Sequence, residues 1–260
     1  MASANQAQIA PVTVARNLGW ADLRAALAAG WGDFRACPGY GLFFAGVYVA
    51  AGLFLYFALF NRGEVAWLVP AAAGFPLLAP FIAVGLYEVS RRREAGLPMT
   101  WGAVLGALRG RGGDDQIVSM GAIVFVAFGF WLMIAHGIFA VFLAESGIGT
   151  ESLALFGTRA GMMMLVVGGA VGAVLAWAFY AVTVVSLPML VHREVDFMTA
   201  IIVSLAVVRS NSLTMLVWAG VIAVTLFAAM LPAFLGLLVA LPVLGHATWH
   251  LYRRAVCDPA

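Results

Sequence analysis

Lysine is absent from this chain of 260 residues, charged residues of all kinds make up 10% of it, and only two cysteines, Cys37 and Cys257, occur. So little charge cannot cover a composition that is 64% hydrophobic with a mean hydropathy of +1.01, which excludes an ordinary soluble domain. Two lone cysteines make no metal site, and a disulfide between them is not expected. The N-terminus has no long apolar core beside a small-residue cleavage site, so no cleaved signal peptide is read there. No CxxCH, HExxH, GxSxG or Walker loop is present, and no expected span carries an unpaired Asp or Glu in its middle third. Cofactor and metal chemistry are therefore not expected, nor is nucleic-acid binding, and the chain is expected not to be an enzyme. The fourteen basic residues, all arginine, match the Ala, Gly and Arg bias of a GC-rich bacterial genome.

What remains reads as an all-α polytopic membrane protein of six spans of roughly 20 residues each. Residues 1–18 are polar and small and are expected to form a disordered tail; residues 19–254 form one membrane domain; residues 255–260 are a second tail. Between Trp20 and Arg35, apolar residues recur at three- and four-residue steps (Trp20, Leu23, Leu27, Trp31, Phe34), predicting an amphipathic helix along the inner interface. Spans are expected at about 40–60, 65–88, 117–144, 160–191, 213–230 and 232–254. A single 40-residue helix over the last two is the competing reading. Pro70, Pro76 and Pro80 predict that the second span is kinked or broken, and so an inside helix of the bundle. Further amphipathic helices are predicted at Pro98–Arg109 and Phe197–Arg209. Phe197, Ile201, Leu205 and Val208 share one face of the latter, with Asp196 capping it, and Ser212 is expected to cap the fifth span.

The segment Ala79–Arg93 (APFIAVGLYEVSRRR) is echoed at Leu241–Arg254 (LPVLGHATWHLYRR), with Pro80 matching Pro242, Glu88 matching His250, and Arg91 and Arg92 matching Arg253 and Arg254. With the order interfacial helix, span, span stated three times, this suggests a threefold internal repeat, roughly 20–93, 98–194 and 196–254. Twelve arginines fall on one side of the spans and two, Arg62 and Arg159, on the other, which places both termini and the amphipathic helices in the cytoplasm.

Few residues can carry chemistry. Glu88 stands one turn before Arg91 and Arg92, so it is either half of an intrahelical pair or an ion site beside the proline-broken helix. His136 lies in the third span near its outer boundary, where a neutral histidine costs little. His246 and His250 share a face at the spacing that lets two imidazoles reach one metal, but without a third ligand they read first as polar caps at a helix end. Arg91, Arg92, Arg93, Arg253 and Arg254 form a basic rim suited to anionic lipid head groups. Gly168, Gly172 and Ala176 on the fourth span let another helix approach closely. Function by this reading is a non-enzymatic scaffold or accessory subunit in contact with lipid and another membrane protein. The alternative is a small transporter or channel using the broken second span and Glu88.

The pieces GWADLRAAL (Gly19–Leu27), PGYGLFFAGVYVAAG (Pro38–Gly52), PLLAPFIAVGLYEVSRR (Pro76–Arg92) and HREVDFMTAIIVSLAVVRSN (His192–Asn211) resemble a bacterial family of integral membrane proteins defined only as a domain of unknown function. The resemblance implies a multi-span inner-membrane protein and brings no catalytic residues. Ser212 stands where that family's pattern has proline.

Overall fold

In a computed structural model of the chain, the structure describes residues 12–62, 65–109, 115–146 and 157–257. The expectations for the first eleven residues, the loops at 110–114 and 147–156, and residues 258–260 lie outside the described residues. Five helical segments are long and apolar enough to cross a membrane: Pro38–Phe60, Pro70–Glu94, Gln116–Phe142, Arg159–His192 and Ser212–Met230. The protein is an all-α multi-pass membrane protein.

The first helix, α1 (Trp20–Ala36), is followed after Cys37 by α2 (Pro38–Phe60), where Pro38 takes the first helical position that tolerates it. The second span is broken, as its prolines require: α3 (Val65–Gly74) passes through a 3₁₀ turn at Phe75–Leu78 into α4 (Ala79–Glu94). In that turn the Ala79 amide bonds to the Pro76 carbonyl instead of the Phe75 carbonyl. The Tyr48 hydroxyl on α2 donates to the freed Phe75 oxygen at 2.6 Å, and the Trp131 indole donates to the Pro70 carbonyl at 2.8 Å. Neighbouring protein thus satisfies the broken ladder. The same segment is the most enclosed of the five, with 56% of its apolar window buried against at most 28% for the others, so it is the inside helix expected.

A short α5 (Trp101–Gly106), capped by Thr100 and continued by a 3₁₀ turn to Arg109, precedes α6 (Gln116–Ser146). The 31 residues of α6 measure about 46 Å, more than a 30 Å hydrocarbon core. The fourth span, expected as one helix, is two: α7 (Arg159–Thr183) and α8 (Ser186–His192). Pro188 cannot donate to the Val184 carbonyl. The Thr183 and Ser186 hydroxyls bond back to the carbonyls of Phe179 and Val182, and Ser204 on the next helix accepts from the Val185 amide while donating to Ala181.

Asp196 caps α9 (Phe197–Ser210) as predicted, accepting from the Thr199 amide at 2.8 Å. The packed face of α9 differs from the one expected. Ala200, Val203, Ser204, Val207 and Val208 are buried while Leu205 is exposed, because the small side chains let α9 approach α7 and α8 closely. The residue preceding α10 (Ser212–Met230) is Asn211, not Ser212, and its buried amide ties the N-terminal segment down by accepting from the Leu18 amide and donating to Ala15.

A turn at 231–236 separates α10 from α11 (Leu237–Ala255), which rules out one long helix. It uses two non-glycine residues in the left-handed region, Ala233 (φ 50°) and Phe234 (φ 65°). A Cβ on Gly236 would stand 2.7 Å from the Ala229 carbonyl oxygen, so the return requires glycine.

At the centre lies α11, which packs against α1, α2, α4, α8 and α10 and is buried from Leu241 through Tyr252 except at Val243 and His250. Burial by protein instead of lipid explains how it accommodates two histidines and a threonine. The helix α1, expected from its amphipathic pattern, buries its apolar face on α11. It runs antiparallel along α11, with Asp22 beside Arg254 and Gly30 against Val243 and Ala247. Residues 12–18, expected within a disordered tail, continue that pairing: β1 (Thr13–Val14) bonds antiparallel to β2 (Val256–Cys257).

Candidate functional site

Where α1, α4 and α11 meet, three helices each contribute polar side chains to one junction. Asp33 comes from α1, Ser90 and Arg93 from the last turns of α4, and His246 and His250 from α11. Ser90 and His246 are fully buried and Asp33 is 6% exposed. Gly30 makes the junction possible, since it brings the α1 backbone against α11 one turn before Asp33.

The Ser90 hydroxyl lies 2.6 Å from Asp33 Oδ2 and 2.8 Å from His246 Nδ1. An ionised carboxylate only accepts, so the single hydroxyl proton goes to Asp33 and Ser90 Oγ accepts from His246 Nδ1–H. His250 Nε2 lies 2.9 Å from the same Asp33 oxygen, and Arg93 Nη1 donates to Asp33 Oδ1 at 2.6 Å and to the Gly32 carbonyl at 3.1 Å. Burial pushes the Asp33 carboxyl up, but hydrogen bonds from His250 and Ser90 and the charges of His250 and His246 outweigh it, leaving it below the ordinary 3.8. The residue types are those of a hydrolase triad, but the order is not. Serine sits in the middle with its proton committed to aspartate, so the imidazole cannot draw that proton off to make a nucleophile. Chemically the arrangement is a clamp.

Two neighbouring networks extend it. Glu88 is 4% exposed and takes both Arg91 (2.6 and 2.7 Å) and Arg92 (3.2 Å) from its own helix. The intrahelical pair expected for Glu88 is formed, and α4 and α11 also pack together. Glu94 accepts from Arg253 and from the Trp249 indole, both at 3.0 Å, and Arg253 reaches His192, whose Nδ1 lies 2.8 Å from the Tyr252 hydroxyl. Arg254 pairs with Asp22 at 3.0 Å.

All five rim arginines therefore have a carboxylate partner inside the protein, and the side chains of Arg91 and Arg92 are only 14% and 15% exposed. Arg24 and Arg35 stand out instead, exposed along the face of α1 that also exposes Trp20 (66%) and Trp31 (45%). His246 and His250 meet through Asp33 and Ser90. Among the described residues no group of three or more His, Cys, Asp and Glu side chains is placed to hold one ion. His136 joins none of these. It stacks flat on Trp67, with ring centres 3.7 Å apart, at the far side of the bundle.

Sequence reasoning passed over Asp33, Ser90, Glu94, His192 and Tyr252. The available signal was the spacing of Asp33 from Leu23, Ala26 and Gly30, which puts an acid on the small-residue face of α1.

The small residues of α7 also behave differently from expectation. Gly172 packs tightly on Trp131 and Gly168 is in ordinary contact range of Ile138, yet Gly169, Ala173 and Ala176 are exposed. They wall two apolar cavities, about 490 Å³ between α4, α7, α10 and α11 and about 420 Å³ between α3, α6, α7 and α10.

No curated protein and no solved structure matches the chain. Residues 68–192, from within α3 to the end of α8, match the model of a family described as predicted integral membrane protein (DUF2189).

Proposed function

We propose that the protein is a non-enzymatic accessory component of the bacterial inner membrane that holds an apolar partner from within the bilayer. The observation that carries this is the disposition of charge. The acids that might have served transport or catalysis, Glu88, Glu94, Asp22 and Asp33, are each spent on an arginine or histidine within the same fold. A transporter keeps an ionisable group free to exchange its partner at membrane depth. Meanwhile the wall of α7 is left open, and the apolar window of that span is only 6% buried by the rest of the chain.

In this proposal α11 is a sixth span, less hydrophobic because protein surrounds it, and the arginine-rich end with both termini faces the cytoplasm. The order α1–α2–α3/α4, α5–α6–α7/α8 and α9–α10–α11 supports a threefold repeat of one interfacial helix and two spans. The rim arginines keep the lipid head-group role, joined by the exposed Arg24 beside Trp20.

The test is flux. Purified protein in liposomes should move neither protons, potassium nor chloride above the empty-vesicle leak, and Glu88→Gln should change stability alone. Solute movement that disappears in Glu88→Gln would establish the transporter instead.

A further inference from the structure

The hairpin of α10 and α11 stops short of the other helices. Its turn at 231–236 is level with Gly52 on α2 and with Phe75: a Cβ on Gly52 would stand 2.9 Å from the Phe75 ring and 3.2 Å from the Phe234 ring, and the centres of those rings are 5.9 Å apart. From that level α2 runs on to Phe60 and α3 reaches back to Val65, about 12 and 15 Å at 1.5 Å per residue. Trp131 and Gly172 mark nearly the same level on α6 and α7, since the Trp131 ring lies against both Gly74 and Gly172. Beyond it α6 continues to Ser146 and α7 extends back to Arg159, about 22 and 20 Å.

At the arginine-rich end the hairpin is level with the rest. Trp249 bonds to Glu94 and Tyr252 to His192, the last residues of α4 and α8. From Trp249 to the start of α11 at Leu237 is about 18 Å, against a hydrocarbon core of about 30 Å. The missing length is therefore all on the outer side.

The chemistry of the turn agrees with that depth. Leu231, Pro232, Ala233, Phe234, Leu235 and Gly236 include no polar side chain, yet Leu231 is 85% and Leu235 58% exposed. The helix ends that reach further are polar, with Asn61 and Arg62 after α2 and Thr158 and Arg159 at the start of α7. Unpaired backbone is what excludes open loops from hydrocarbon. Here the amides of Leu231, Ala233, Phe234 and Leu235 donate to the carbonyls of Ala228, Leu231, Met230 and Pro232 at 2.9–3.3 Å, and Pro232 has no amide hydrogen to pair. The left-handed backbone at Ala233 and Phe234 closes the chain this tightly.

We infer that α10 and α11 form a re-entrant hairpin whose apolar tip, Leu231 to Leu235, lies about 12 Å beneath the outer end of α2, with the acyl chains of the bilayer interior as its partner. The sixth span proposed above thus leaves the bilayer on the side where the fifth entered, and neither reaches the periplasm. Both termini stay in the cytoplasm, as in that proposal.

The experiment uses the full chain with Cys37→Ala and Cys257→Ala, into which Leu231→Cys, Leu235→Cys, Asn61→Cys or Leu97→Cys is introduced singly. Reactivity with an impermeant maleimide is measured from each side of sealed vesicles. The same variants are then labelled with bimane in detergent and reconstituted with phosphatidylcholine that carries a nitroxide either on the head group or near the middle of an acyl chain. From either side, Leu231→Cys and Leu235→Cys should react at least tenfold more slowly than the accessible reference, Asn61→Cys outside and Leu97→Cys inside. Their bimane should be quenched at least twofold more by the mid-chain nitroxide than by the head-group one, and bimane on Asn61→Cys should show the reverse. Quenching keeps the inference testable where slow labelling has a steric cause.

Reaction of Leu231→Cys from the periplasm within threefold of Asn61→Cys, with stronger quenching from the head group, would overturn the inference by placing the turn at the outer surface. A tip protected from maleimide but quenched by neither lipid would put protein against it and overturn the lipid partner. Exchanged sidedness of Asn61→Cys and Leu97→Cys would refute the proposed orientation instead, while mid-chain quenching at Leu231→Cys supports the re-entrant turn in either orientation.

Discussion

Gly30→Ala and Gly32→Ala place the same methyl group on the same helix two residues apart, and the structure requires opposite outcomes. At Gly32 a Cβ meets nothing within 4 Å, so alanine gains its helix propensity, about 1 kcal/mol. At Gly30 it would stand 2.6 Å from both the Ala247 amide nitrogen and the Val243 carbonyl oxygen. Those atoms belong to the backbone of α11, so no side chain can swing aside. Relief to ordinary contact distance requires α1 to withdraw by roughly 1 Å. Asp33, one turn on, holds Ser90 at 2.6 Å, Arg93 at 2.6 Å and His250 at 2.9 Å, and such a shift stretches these to the limit of hydrogen bonding. Overpacking at about 1–3 kcal/mol and a weakened buried network outweigh the propensity gain, leaving Gly30→Ala about 3 kcal/mol less stable. At about 2–4 °C per kcal/mol for a chain of this size, near-ultraviolet dichroism melts in detergent should fall by roughly 6–12 °C for Gly30→Ala and rise by roughly 2–4 °C for Gly32→Ala. Shifts of the same sign in the two variants would refute the close packing of α1 on α11.

Tyr48→Phe leaves the Phe75 carbonyl unpaired in the broken second span and should cost about 1–3 kcal/mol, measured as a lowered midpoint on melting. Because the Asp33 carboxyl is held below its ordinary 3.8 in the folded protein, its contribution is fully present above that value and is lost as pH falls through the lowered one. Acid melts should therefore show a loss below about pH 4 that is smaller in Asp33→Asn. Cysteines introduced at Asn61 and Leu97 should react with an impermeant maleimide from opposite sides of the membrane, Asn61 from the periplasm and Leu97 from the cytoplasm. The reverse pattern would invert the proposed topology.

Sequence made the membrane class, the breaks of the second span and the Asp196 cap legible, because composition, proline and capping chemistry act locally. The clamp was not legible for a physical reason. Asp33 looks like a solvated residue on an amphipathic helix until α1 is known to lie along α11, and that contact depends on a glycine 213 residues from the nearer of its partners, Val243. Glu88 shows the reverse case: its partners Arg91 and Arg92 lie three and four residues ahead, and the structure keeps the local pairing. The cavity was not legible because Ala176 carries the same signal whether a helix packs on it or nothing does. Of the four segments that carried the family resemblance, Pro76–Arg92 lies inside the matched stretch 68–192, and the N-terminal two lie before it.

The central claim is that the buried charges hold helices together and do no other work. A double-mutant cycle between Asp33 and Arg93, with Asp33→Asn, Arg93→Gln and the pair followed by thermal unfolding in one detergent, measures this directly. The account predicts a coupling of about 1–3 kcal/mol, each single change costing most of what the double change costs. Strictly additive effects, with coupling below about 0.3 kcal/mol, would contradict it.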